Sequence, residues 1–579
     1  MRWATATIAE RCRAACLGYA AISGELLRVI RRIVGVLLAL VGLIVVVVGG
    51  VAAFWLIGPD DTVHSGEQSL SSKGLAIAST PELLNRHGPV LHVDVRSSKN
   101  QPVFVGVARD FDVSSYLKGI AHTKLVQVQF PIALSTEDEK GTAGPLAAPA
   151  TLDWWVTKAN GTGTQSIAWP IEDGPYDVVI MNADGKTAPD VQVDLGIEIP
   201  KAFTSALGVF AAGIILLAVG ILLVLFRRGP RKPHPAQNAT SPPQPVQQPA
   251  SRIAAAQRVV VVGIAFGLTT GCSAVPPADT VTVLTRPAIS EQVAAAAIKH
   301  YDEVSNAAAK RRDEKLIATV ETGDVLRLSQ AGYRIDRVLD KAGKGIADPT
   351  THVKPSIGVP SYGGYPMRFV ASAGMSAYKD YQVLDLWERR SAGEPWLVSH
   401  QVTPEKKVKL PPLKGLRPVT AADNEKLAAS PEAAGKALAG YFNAGTKSSH
   451  AALFAPSADV TSILRTVADA KSLLKDPKSY RAVIDTFRLS GTPTAFMTSS
   501  GEALVFLSLT EEFQLQVGPN LSIYWAQGSP GSAFSPPTTK YDSAITSTTL
   551  YQAALVVPPK GAKIRILSTA DELVEAGGY

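Results

Sequence analysis

"VVVVGIAFGLTTGCSAVPPAD", Val259 to Asp279, decides how this 579-residue chain is organised. Arg252 and Arg258 precede it as a positive leader, and the uncharged run from Val259 to Gly271 is 13 residues long. A membrane-crossing helix needs roughly 20 apolar residues, so this run is short for a span and suits the apolar region of a signal peptide. Small residues and prolines follow Cys272. The pattern reads as a lipoprotein-type signal, with Leu268, Thr269, Thr270 and Gly271 as the signal-peptidase recognition segment and Cys272 as the lipidation site. Thr269 stands where a leucine is usual, and Leu268 lies one place further back. Signals of this kind belong at the front of a protein, yet more than 250 residues precede this one. The expectation is a membrane-embedded half joined head to tail with a lipoprotein whose own signal survives inside the chain.

Working outward, the hydrophobic content of 46% concentrates in two places. Ile33 to Ile57 is 25 residues without a charge, and Phe203 to Phe226 is 24. Both are long enough to span a bilayer. Arg28, Arg31 and Arg32 precede the first, Asp60 and Asp61 follow it, and Arg227, Arg228, Arg231 and Lys232 follow the second. The positive-inside rule then puts the N-terminus and 227–258 in the cytoplasm, and 58–202 outside. A third crossing at 259–272 carries 273–579 outside as well. Residues 1–32, with Ile8, Cys12, Ala15, Tyr19, Ile22, Leu26 and Val29 on one helical face, read as a cytoplasmic amphipathic helix. Residues 227–258 contain seven prolines between 227 and 251 and read as a cytoplasmic linker. The net charge of +7 is dispersed, which excludes a nucleic-acid binder of the basic-patch kind. The three cysteines, Cys12, Cys16 and Cys272, supply no disulfide framework for the exported parts.

Between the spans, strand patterns dominate. Leu91, Val93 and Val95 alternate with polar residues, as do Val103, Val105 and Val107, then Val126, Val128 and Phe130. Val191, Val193, Leu195, Ile197 and Ile199 complete the set. Residues 58–202 are therefore expected to be an exported all-β, sandwich-like domain with a short helical insert near "DVSSYLKGIAH". Asn182 and Asp184 fall short of a calcium loop, and a hairpin turn at Asp184-Gly185 explains them. Trp154, Trp155 and Trp169 read as packing residues. "PVFVGVARDFDVSSYLKGIAH" together with "YDVVIMNADG" resembles uncharacterised exported domains of two-span actinobacterial membrane proteins, a resemblance that implies topology and no activity.

After a leader at 273–287, helical patterns precede strand patterns twice, giving two α+β repeats at 288–418 and 419–579. Val293, Ala297, Tyr301, Val304 and Ala308 share a helix face, and Ser430 with Pro431 opens a helix in the second repeat. The order resembles cone-shaped domains of the nuclear transport factor 2-like or cystatin-like type. The whole half, with "GCS" and the strand near Trp396, is similar to actinobacterial lipoproteins that carry a domain of unknown function.

Chemistry is sparse in this half. No G-x-S-x-G, H-E-x-x-H or phosphate-cradling loop is present. His300, His352, His400 and His450 are scattered, and His300 has Asp302 and Glu303 beside it. "PSYGGYPMRF" (Pro360 to Phe369) reads as a loop entering a strand, with a pocket mouth as the alternative. Lys406, Lys407, Lys409, Lys414 and Arg417 read as a solvated linker, with contact to anionic lipid or wall polymer as the alternative. No catalytic residue, metal ligand or cofactor site is assigned. The expected function is a non-catalytic cell-envelope membrane protein with two exported binding modules, the second lipid-anchored through Cys272. Its partners would be the lipid bilayer and an envelope polymer or envelope protein, with no nucleic acid. The alternative is an extracytoplasmic small-ligand carrier or enzyme using a cavity in the C-terminal repeats, which convergent polar groups in a deep pocket would favour.

Overall fold

A computed structural model describes residues 6–84, 88–129, 133–226 and 284–579. Leu268, Thr269, Thr270, Gly271 and Cys272 lie outside the described residues. The chain divides into two compact units. Met1–Ala108, Gly119–Gly144 and Val156–Thr282 belong to the first, and Arg109–Lys118, Pro145–Trp155 and Val283–Tyr579 to the second.

In the first unit two helices are long and apolar enough to cross a membrane, Val29–Ile57 and Ala202–Leu225. The first belongs to a helix that runs unbroken from Ala6 to Val51 and ends in a π-helical turn, Ala52–Ile57. Glycines let the two helices meet backbone to backbone. A Cβ on Gly42 would stand 2.4 Å from the backbone nitrogen of Leu217, and one on Gly213 would stand 2.6 Å from that of Val46. Gly35 and Gly49, one heptad before and after Gly42, face Gly220 and Phe210 in the same way. Lipid gives apolar helices no hydrophobic reason to associate, so close packing at small residues is the force available. Asp61 then caps the second helix, accepting hydrogen bonds from the backbone N–H groups of Lys201 (3.1 Å) and Phe203 (2.8 Å).

Two sheets lie between these helices in sequence. One places Thr62–His64, Asp190–Glu198, Val90–Ser97 and Gln165–Pro170 in that order, with Gln68–Ser71 also paired to Asp190–Glu198. Leu91, Val93 and Val95 are buried on one strand and Val191, Val193 and Leu195 on its partner, as the alternation predicts. The other sheet has six strands, with Ala76–Ser79 and Tyr176–Asn182 at its centre. One alternation is read on the wrong face. Val126 is 38% exposed, while Thr123 and Leu125 are buried, because the pairing of His122–Gln129 is shifted by a bulge between Leu125 and Gln127. At Asp184-Gly185 the chain turns with Gly185 at φ +64°, but it does not make the expected hairpin, because Tyr176–Asn182 and Asp190–Glu198 belong to different sheets. The Asp184 carboxylate accepts from the N–H groups of Lys186 and Thr187, so its oxygens serve the turn.

The second unit shows helices before strands twice over. Glu291–Arg311, Glu314–Ile317 and Gly323–Leu339 precede an antiparallel meander of His352–Gly358, Met367–Met375, Gln382–Arg389 and Leu397–Val402. Pro431–Ala444, capped by the Ser430 hydroxyl, and Ala458–Ser472 precede a second meander of Tyr480–Met497, Ala503–Val517, Ala544–Val557 and Arg565–Gly578. The two meanders share one apolar seam, in which Val370, Leu384 and Leu386 meet Phe496, Phe506 and Val556. The expected solvated linker enters that seam. Leu413 and Leu416 are buried there, and a Cβ on Gly358 would stand 2.5 Å from the Leu416 side chain. Its cations stay outside: Lys407 pairs with Glu405 and Arg417 with Asp423.

Because the two apolar helices meet at Gly42 and Gly213, a bulky side chain there forces them apart. Gly213→Leu should lower the melting temperature of the detergent-solubilised chain, at a cost of about 1–3 kcal/mol. Gly208→Leu, where a Cβ meets nothing within 4 Å, should leave it unchanged. Equal melting of the two variants would show that the helices do not pack there.

Candidate functional site: a polar cavity in the second unit

Helix Glu291–Arg311 buries Ala294, Ile298 and Ala308 against the first meander. On the same face it also buries Tyr301 and Asp302, which an apolar stripe would not carry unless they had partners. Those partners come from three strands and one interhelical turn. His352, the first residue of its strand, lies between two carboxylates: Nδ1 is 2.6 Å from Asp302 Oδ1, and Nε2 is 2.7 Å from Asp385 Oδ2. The backbone N–H of His352 donates to the other Asp302 oxygen at 3.0 Å. Gln401 donates to Asp385 (3.0 Å) and to the Tyr301 hydroxyl (3.3 Å), and Tyr301 donates to Glu321 Oε1 (2.9 Å). Asp385 is fully buried and Glu321 is 3% exposed.

This network forms one wall of a cavity of about 520 Å³, closed on other sides by Tyr333, Ile317 and the turn Ile346–Thr351. A volume of that size suits a small organic molecule. Glu321 contributes the feature with most chemical consequence. Its second oxygen is buried with no well-formed hydrogen bond in the protein, and the Ser329 hydroxyl is a hydrogen-bonding neighbour of the carboxyl. Burial first, and the charge of Asp385 second, push Glu321 up to about 7 against the help of Tyr301 and Ser329.

His352 is fixed as a cation. Burial by itself would lower its pKa, but hydrogen bonds and charge from Asp302 and Asp385 override this and hold it up at about 10. Both ring nitrogens donate, so neither is free to take a proton from a substrate. Asp302–His352–Asp385 is thus an ionic clasp between helix and sheet rather than a general base with its orienting acid. Among the described residues, no group of three or more His, Cys, Asp or Glu has the arrangement of a metal site.

His300 is exposed, and the residue that meets Asp302 lies 50 positions away. His400 is buried between the meanders near Phe506, with its pKa lowered to about 4 by burial. "PSYGGYPMRF" does not line the cavity. Tyr362 packs into the apolar core, and the Tyr365 hydroxyl donates to Asp112 at 2.8 Å. A second buried Tyr–Glu pair, Tyr551–Glu511 at 3.0 Å, sits in the other α+β part, where burial and Asp485 push Glu511 up to about 7.

A family model described as a domain of unknown function, DUF8094, matches residues 285–578, just over half of the chain. The chain belongs to that family, and the cavity lies within the matched region. No curated protein and no solved structure matches the chain.

The clasp makes stability depend on pH with a definite sign. His352 has a folded pKa of about 10 against an ordinary value of 6.5, so its contribution is fully present below pH 6.5 and is lost as pH rises through 10. Chemical unfolding at pH 6, 8 and 10 should show the second unit losing on the order of a few kcal/mol across that range. His352→Ala should be less stable at pH 6 and should flatten the slope between pH 6.5 and 10. A wild-type slope of zero there would mean that the imidazole is not held between the two carboxylates.

Proposed function

We propose that this chain is a membrane-tethered envelope protein whose DUF8094 region binds a small molecule in the cavity beside Glu321. Of the two expected readings, the small-ligand carrier is favoured over a module with a filled core. The observation that carries it is the polar wall of a 520 Å³ cavity, to which Tyr301, Asp302, Glu321 and Gln401 all contribute. A few polar groups on the wall of an otherwise apolar cavity orient a bound molecule, and carboxyl groups among them favour a ligand N–H or O–H. The ligand class is therefore a compact molecule with an apolar body and an amine or hydroxyl donor. The clasp's occupied nitrogens support a binding role over a catalytic one. The helix-then-meander order supports assigning each α+β part to the cone-shaped, nuclear transport factor 2-like or cystatin-like type.

The same proposal places the N-terminus and 227–258 in the cytoplasm and 58–202 and 273–579 outside, with lipid attached at Cys272. The arginine distribution supports this orientation. So does the make-up of the second unit, in which residues 109–118 and 145–155 form one body with the C-terminal half. One body lies on one side of a bilayer. With two spans at Val29–Ile57 and Ala202–Leu225, sharing a side requires an odd number of crossings between 226 and 283.

The test is a thermal-shift screen of the detergent-solubilised chain against small primary amines and alcohols. Hits should raise the melting temperature of the wild type and not of Glu321→Leu. Amine hits should bind several-fold more tightly at pH 8 than at pH 6, since Glu321 becomes a carboxylate as pH rises through about 7. A screen without hits, or hits that Glu321→Leu retains in full, would reject the cavity as the binding site.

A further inference from the structure

We infer that the C-terminal domain is completed by two segments of the first exported half, and that the halves therefore stay joined when the chain is cut between them. The second unit contains Arg109–Lys118 and Pro145–Trp155, which lie far upstream of its main body. They are built into it by ion pairs with buried arginines. Asp112, fully buried on the short helix Asp110–Tyr116, accepts a bidentate pair of hydrogen bonds from Arg286, with Nη2 to Oδ1 at 2.7 Å and Nε to Oδ2 at 2.9 Å. The Tyr365 hydroxyl donates to the same carboxylate. Of the three remaining guanidinium N–H groups, two donate to the Pro287 and Ala288 carbonyls and one to the Tyr365 hydroxyl, so all five are paired.

The second segment is attached in the same manner. Arg389 donates to Asp153 at 2.6 Å with its side chain 7% exposed, and the Trp154 indole N–H donates to the Ala392 carbonyl at 2.9 Å. The Ala392 N–H in turn donates to Ser115 at 3.0 Å, and the Tyr116 and Trp154 rings meet edge to face at 5.6 Å. Without the two segments, Arg286 and Arg389 would lose the carboxylates they pair with. Leaving one member of a buried ion pair unpaired is strongly destabilising. The partner this surface fits is thus a polypeptide carrying an aspartate on a short helix and an Asp-Trp pair about forty residues later, which the chain's own first half supplies. Processing before Cys272 would accordingly yield a two-chain complex and not two independent proteins.

The experiment installs a site-specific protease sequence within 236–250 of the full chain, with an affinity tag at the N-terminus. After cleavage in detergent, the C-terminal fragment should remain on the tag resin through washing. Asp112→Ala with Trp154→Ala, confirmed as folded before cleavage by circular dichroism, should release at least ten-fold more of the fragment. As a second readout, hydrogen exchange on the uncut chain should show Ala392 slow in the wild type and fast in the variant. A wild-type fragment that washes through folded and monodisperse would overturn the inference. So would equal retention in the double variant.

Discussion

A charge taken out of water must be paired, however far along the chain its partner lies. This constraint shapes the second unit more than any apolar contact does. The pairs Asp112–Arg286, Asp153–Arg389 and Asp302–His352–Asp385 join positions separated by 174, 236, 50 and 33 residues. Apolar residues can slide or exchange within a core at modest cost, but a buried carboxylate with a bidentate guanidinium has one geometry. The core supplies most of the driving force for folding, and these pairs select which segments it is built from. The clasp does the same locally. It fixes the helix that carries Tyr301 and Asp302 to the strands that carry His352 and Asp385, and so holds open the space between helix and sheet.

That arrangement separates two roles that histidine and carboxylates often combine. Charge balance within Asp302–His352–Asp385 is settled by the protein, and it leaves one negative charge in excess on that wall. Glu321, three per cent exposed and held up at about 7 by burial, faces no cation in that network. It is the group whose protonation a ligand could most readily change. Neighbours already fixed by their own hydrogen bonds make a site that can bind without much rearrangement. The paired nitrogens of His352 explain why the same wall is poorly equipped for proton transfer.

Local features of the chain were readable from the sequence because period and capping are local. The two apolar helices, the alternation at Leu91–Val95 and Val191–Leu195, the Asp184-Gly185 turn and the Ser430–Pro431 helix start all appear where the pattern puts them. Where a bulge shifted the strand His122–Gln129, periodicity chose the wrong face, since a one-residue slip reverses every side chain. The cavity was legible only in outline. Asp385 occupies an inward position between Val383 and Trp387, and Asp302 follows Ile298 by one helical turn, so both could have been marked as buried acids. Nothing in their spacing points to His352. Asp112 was less legible still, for its partner lies in another part of the chain and its own stretch read only as a short helical insert.

The internal signal makes physical sense beside that last pair. If 109–118 and 145–155 complete the C-terminal body, that body can form only on the side of the membrane where 58–202 emerges. After a second span the chain is on the opposite side, and a simple linker to the C-terminal half would strand Arg286 away from Asp112. A third crossing restores the match, and on the proposed topology the segment from Val259 to Cys272 supplies it. The short apolar run need not be a durable span to do this. On that proposal it needs only to start translocation, after which the Asp112–Arg286 pair would help to hold the C-terminal body in place.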